Sequence, residues 1–106
     1  MSVTPDYIAG YVDGFAVGFV RARLGRSFSD ESCLVCGAST ARALYRDGIF
    51  CHRCASLVAG DTTARHSLDL RRHAVSGAGV PPPAILEAYG QARLQEVYAA
   101  KRRLPR

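Results

Sequence analysis

Four cysteines in two pairs, Cys33-Leu34-Val35-Cys36 and Cys51-His52-Arg53-Cys54 with fourteen residues between them, constrain this chain more than any other feature. Two thiols three positions apart can face one ion from a single tight turn, and two such pairs fill the four positions of a tetrahedral site. Gly37, directly after Cys36, lets the first turn enter a backbone region that other residues resist. With all four positions taken by sulfur, no place remains for water or substrate. The spacing therefore predicts one structural Zn²⁺ held by Cys33, Cys36, Cys51 and Cys54, with redox dithiols, an iron centre or unrelated cysteines as the competing readings. At 106 residues the chain buries only about two thirds of its unfolded surface, so a staple of this kind is what it needs.

The compartment follows from the same thiols. Met1 to Asp6 carries no basic stretch, and the apolar run from Tyr7 to Val20 is both short and interrupted by Asp13. Neither a secretory leader nor a membrane span is expected, which places the protein in a reducing, cytoplasmic setting where cysteines bind metal rather than form disulfides.

The residues between the two pairs have a readable form. Ala43-Leu44-Tyr45-Arg46, then Asp47-Gly48, then Ile49-Phe50 reads as strand, tight turn and strand. After the second pair, Ala55 to Ala59 reads as a helix closed by Gly60. Knuckle, hairpin and helix in that order give a mainly α fold with a small zinc-bound β-hairpin, a treble-clef four-cysteine zinc finger flanked by an N-terminal and a C-terminal helix.

This segment resembles a known family. Cys33-Leu34-Val35-Cys36-Gly37-Ala38-Ser39-Thr40, Leu44-Tyr45-Arg46-Asp47-Gly48 and Cys51-His52-Arg53-Cys54-Ala55 are similar to the GATA-type treble-clef zinc finger, over residues 33–60 alone. The resemblance implies a four-cysteine zinc site and a finger helix able to enter a DNA major groove. Tyr45 stands where that family has tryptophan, and Ser56 to Ala64 lacks the basic residues that follow its helix.

The flanks read as helices. Thr4-Pro5-Asp6 is a start signal and Gly25 a stop, with Arg21 and Arg23 favouring the C-terminal end of the dipole. Gly10, Gly14 and Gly18 recur every four residues beside Tyr7, Tyr11, Phe15 and Phe19. Glycine inside a helix costs up to about 1 kcal/mol against alanine, so a close-packed partner helix is expected to offset it. Thr62 or Thr63 caps a helix over about Ala64 to Ser76, and Pro83 starts a last one running to about Arg103. Its expected apolar stripe is Leu86, Gly90, Leu94, Val97 and Tyr98, which makes Gly90 the counterpart of the first helix's glycines. The segments are then 1–26 (glycine-striped helix), 33–60 (finger), 61–79 (short helix and glycine-rich linker) and 80–106 (helix with basic tail), in one compact domain.

The net charge is +5, of which residues 81–106 carry +3, and all the cations but Lys101 are arginine. Arginine suits bidentate phosphate contacts, and Arg42, Arg46, Arg53, Lys101, Arg102 and Arg103 are the candidate nucleic-acid contacts. The hairpin region holds no histidine, and no paired carboxylates or activated serine accompany it, so no enzyme is expected. The expected function is that of a small zinc-finger protein binding DNA or RNA in gene regulation. The alternative is an assembly module in which zinc is purely structural and the first helix, through Gly10, Gly14 and Gly18, docks a protein partner or a second copy.

Overall fold

The computed structural model describes residues 4–25, 32–38, 48–77 and 79–105. Of these, 72% lie in four helices: α1 (Pro5–Leu24), α2 (His52–Val58), α3 (Thr62–Val75) and α4 (Pro83–Arg103). The expected mixed class is thereby corrected, since no β-strand or sheet occurs among the described residues. Residues 43–47 of the expected hairpin lie outside the described residues. Its expected end, Gly48 to Phe50, forms no strand, and Ile49 gives its carbonyl to the Leu34 N–H of the first cysteine turn (3.0 Å). The turn signal itself has a structural correlate in Gly48, whose φ of +76° is the left-handed region that favours glycine.

Local chemistry sets the helix ends. Thr4 Oγ1 accepts the Tyr7 N–H at 3.2 Å, Pro5 occupies the first turn, and Gly25, in the left-handed region, directs its N–H to the carbonyls of Arg21 and Ala22. In α3 the cap is Asp61 rather than either threonine, its Oδ1 accepting the Ala64 N–H at 3.0 Å. A carboxylate at that position also favours the positive end of the helix dipole.

The helices share two apolar clusters. In one, Ile8, Val12 and Ala16 of α1 meet Ala74 of α3 and Leu86 and Tyr89 of α4. In the other, Val20 meets Leu94, Val97 and Ala100 of α4 and the cysteine-bearing segments, including Leu34, Ile49, Phe50 and Val58. α1 and α4 therefore run in the same direction. α3 runs against α4, since Ser67 near its start bonds Glu96 in the second half of α4 while Ala74 near its end meets the first half. α4 is the central element, buried at Leu86, Gly90, Leu94 and Val97 as its stripe predicts, but also at Tyr89, Ala92, Arg93, Glu96, Ala99 and Ala100. Tyr98 departs from the predicted stripe and is exposed.

The stripe that α1 buries is Ile8, Val12, Ala16 and Val20, not the glycines. Tyr7 and Tyr11 are 59% and 42% exposed. A Cβ built on Gly10 or Gly14 meets nothing within 4 Å, so neither glycine is matched to a neighbouring backbone. Gly90 is the close-approach glycine, because a Cβ there would lie 2.7 Å from Cγ and 3.1 Å from Cβ of Phe19. These atoms are near the root of the phenylalanine side chain and move only if α1 moves with them. Gly90→Ala is accordingly expected to lose about 1–3 kcal/mol to overpacking, less the ~1 kcal/mol that alanine recovers in helix propensity. Gly10→Ala and Gly14→Ala, by contrast, should gain about 0.5–1 kcal/mol each. Urea unfolding of the three variants checks the contrast.

Candidate metal centre

The first cysteine pair forms a knuckle. Gly37 takes φ +74° and returns its N–H to the Cys33 carbonyl at 2.9 Å, while the Cys33 N–H reaches the Ala38 carbonyl at 3.0 Å. The second pair opens a helix, with Cys51 the N-cap of α2, its sulfur accepting the Cys54 N–H at 3.4 Å and its carbonyl the Ala55 N–H at 2.9 Å. A glycine turn is therefore needed at the first pair only, because at the second the helix itself turns the chain.

All four sulfurs lie within 4.8 Å of one another, and no pair is joined as a disulfide. Cys36 Sγ and Cys51 Sγ stand 3.9 Å apart. Four sulfurs at about 2.3 Å from a tetrahedral ion have edges of about 3.8 Å, so the set fits a thiolate-bound metal with little adjustment. Cys33, Cys51 and Cys54 are buried and Cys36 is exposed.

Backbone donors complete the fit. The Cys51 N–H points at Cys33 Sγ at 3.4 Å, so each of the Cys51 and Cys54 amides supports a sulfur. Burial raises the Cys33 thiol, but amides at Cys36, Cys51 and Val35 outweigh it and bring it down to about 7. Burial pushes Cys54 up, and the three neighbouring sulfurs push it further. Cys36 is also raised, chiefly by burial. A divalent cation would reverse that tendency, since coordination deprotonates a thiol outright. The four residues form one four-cysteine site able to hold a metal ion.

The other anticipated residues fall elsewhere. Arg42 and Arg46 lie outside the described residues. Arg53 is exposed on α2, and Lys101, Arg102 and Arg103 are exposed at the end of α4. Arg103 is not a purely solvated cation: its Nη1 bonds the Leu57 carbonyl at 2.7 Å and lies 2.8 Å from Asp61 Oδ2, tying the end of α4 to the junction of α2 and α3. Gly10 and Gly14 face outward on α1, Gly18 is half-buried, and Gly90 accommodates Phe19.

A polar network between α1, α3 and α4, partly buried at Asp13 and Arg71 and buried at Arg93 and Glu96, has no counterpart in the sequence analysis. Asp13 accepts two bonds from Arg71, at 2.8 and 2.9 Å, and a third from the Tyr89 hydroxyl at 3.2 Å. Burial raises the Tyr89 phenol well above its ordinary value, so it is a neutral donor. Deeper in, Glu96 accepts from Arg93 at 3.0 Å and from Ser67. Arg93 also lies over the Phe50 ring, 5.2 Å from its centroid. The available signal was Arg93 and Glu96 three residues apart and adjacent to the stripe residues Leu94 and Val97 of α4.

No family model, no curated protein and no solved structure matches this chain. Among the described residues, no helix is long and apolar enough to cross a membrane.

Proposed function

We propose that the ion is Zn²⁺, held structurally, and that the protein is a small nucleic-acid-binding protein rather than an enzyme. Four sulfur ligands at tetrahedral spacing favour zinc over ions that prefer oxygen, and leave no open position for catalysis. The finger retains the knuckle and ligand-bearing helix of the treble-clef arrangement without its hairpin, so the GATA-type resemblance contributes the ligand pattern and not a docking geometry.

The observation that carries the nucleic-acid reading is the Arg103 staple. By joining the end of α4 to Leu57 and Asp61, it anchors the segment that carries the exposed Lys101 and Arg102 at the junction of α2 and α3, the helices that carry the exposed Arg53 and Arg65. Arg65 donates its backbone N–H to the Asp61 carbonyl at 3.0 Å, which fixes it at the same junction. Exposed cations are thus carried by three helices that meet at this junction, and basic surface of that kind supports contact with a phosphate backbone.

Fluorescence anisotropy with labelled duplex and single-stranded oligonucleotides tests this. Binding at about 50 mM salt should weaken steeply toward about 200 mM, and Arg102→Glu should weaken it for every sequence while flattening the salt dependence by about one phosphate contact. Absence of binding to both oligonucleotides at about 50 mM salt rejects the proposal.

A second reading, assembly through α1, is favoured by the exposed Tyr7 and Tyr11 flanking Gly10 and Gly14. Light scattering on the same samples separates the two, since assembly requires a mass above that of one chain.

A further inference from the structure

A cavity of about 280 Å³ opens where all four helices converge, next to the cysteine site but distinct from it. It lies just under the roughly 300–1,000 Å³ range of typical ligand pockets, a size suited to one small molecule rather than a nucleotide. Its mouth is marked by the exposed Ala59 and Leu68, and its depth by Ser67, Tyr89, Arg93 and Glu96, each more than nine-tenths buried.

The lining of this cavity mixes two chemistries. The polar part of the lining is the ion pairs Asp13–Arg71 and Arg93–Glu96 with the hydroxyls of Ser67 and Tyr89, and the apolar part is Phe50, Ala55, Val58 and Leu68. Two positive and two negative side chains leave the polar part with no net charge. A ligand with a net charge would add an uncompensated ion beside the buried Arg93–Glu96 pair, and a purely apolar one would strip water from the ion pairs without replacing it. A molecule bearing both signs at short separation, with hydrocarbon attached, matches both kinds of lining.

We propose that this cavity binds a free α-amino acid with an apolar side chain. Its carboxylate would face the guanidiniums of Arg71 and Arg93, its ammonium the carboxylates of Asp13 and Glu96, and its side chain Phe50, Val58 and Leu68. A carboxylate has about four lone-pair sites and a guanidinium five N–H donors, so both protein ion pairs persist while the ligand shares them. Phe50 and Ala55 line the cavity and are the immediate neighbours of Cys51 and Cys54, so the occupant touches the same segment that holds the metal.

The test is isothermal titration of the full-length, metal-loaded protein with L-leucine, with leucinamide, which keeps only the ammonium, and with 4-methylpentanoate, which keeps only the carboxylate. Leucine should bind, and each single-charge analogue should bind at least about tenfold more weakly, the loss of one charge-assisted contact. Leu68→Trp at the exposed mouth should abolish leucine binding while leaving the unfolding midpoint of the ligand-free protein unchanged. The proposal is overturned if leucine, phenylalanine and methionine all give no binding at about 10 mM, weaker than any useful occupancy. Equal affinity for leucine and either analogue overturns it as well, a comparison that needs no variant to fold.

Discussion

Stripping the four-cysteine site with a chelator, or replacing Cys54 with serine, is expected to collapse the end of the molecule that holds α2. Little else organises that end. The knuckle residues belong to no helix or strand, and the backbone bonds that secure it among the described residues include Cys33 to Ala38, Gly37 to Cys33 and Leu34 to Ile49. α2 is only seven residues long, too short to persist by propensity. Its first turn is fixed by the sulfur of Cys51 and the burial of Cys54. Structural zinc contributes on the order of 10 kcal/mol in small folds, comparable with the entire stability of a domain, about 5–15 kcal/mol.

The loss should be uneven. Leu34, Ile49, Phe50 and Val58 belong to the apolar cluster that contains the cysteines, whereas Ile8, Val12, Ala74, Leu86 and Tyr89 belong to the other. Amide hydrogen exchange after chelation should therefore show protection lost first across residues 49–58 and later in the first half of α4. Acid acts in the same direction, because protons compete with the metal for thiolate, so the loaded protein should release its ion as pH falls. Elemental analysis of purified, reduced protein should find one zinc per chain. Substoichiometric metal, or a melting curve that chelation leaves unchanged, contradicts this account.

What the sequence disclosed and what it concealed divide along the range of the interactions. The ends of α1 were legible because Thr4, Pro5 and Gly25 act within one turn of themselves. Gly37 and the placement of Cys51 and Cys54 at a helix start were legible for the same reason, and with them the ligand set. The core face of α1 was not. Glycine and tyrosine recur at the same four-residue step as Ile8, Val12, Ala16 and Val20, and periodicity alone does not say which stripe faces inward. The neighbours decide, with α4 presenting Leu86, Tyr89 and Leu94 to the branched aliphatic side. The hairpin reading failed in a similar way, since no strand forms among the described residues and Ile49 accepts instead from Leu34, fifteen residues earlier. The Asp13–Arg71 pair spans 58 positions of sequence and Tyr89–Asp13 spans 76, so no local pattern announces either. Asp13 could be read only as an interruption in an apolar run, without the partners that explain it.

Glu96→Ala is expected to produce the largest loss of stability of any substitution outside the cysteines. Glu96 is 3% exposed and Arg93 8%, and the pair they form at 3.0 Å is closed on one side by Ser67 and on another by the Phe50 ring. Truncating Glu96 removes a carboxylate from the buried Arg93 guanidinium, and breaking a buried pair in this way costs about 3–5 kcal/mol. The exposed Arg72–Asp69 pair, 3.7 Å apart on the surface of α3, sets the scale for comparison, since its removal by Asp69→Ala should cost at most about 1 kcal/mol. Replacing both members, Arg93→Met with Glu96→Leu, removes the charges together and should recover most of the loss, because apolar residues of similar volume avoid the desolvation cost of the pair. Urea unfolding of the wild type, both single variants and the double variant completes the comparison. If Glu96→Ala unfolds the chain outright, the double variant still reports whether the damage came from stranding a charge or from vacated volume: recovery indicates the former, and continued instability the latter. A loss below about 1 kcal/mol for Glu96→Ala would mean that water reaches Arg93 and that the interior between α3 and α4 is wetter than its packing implies.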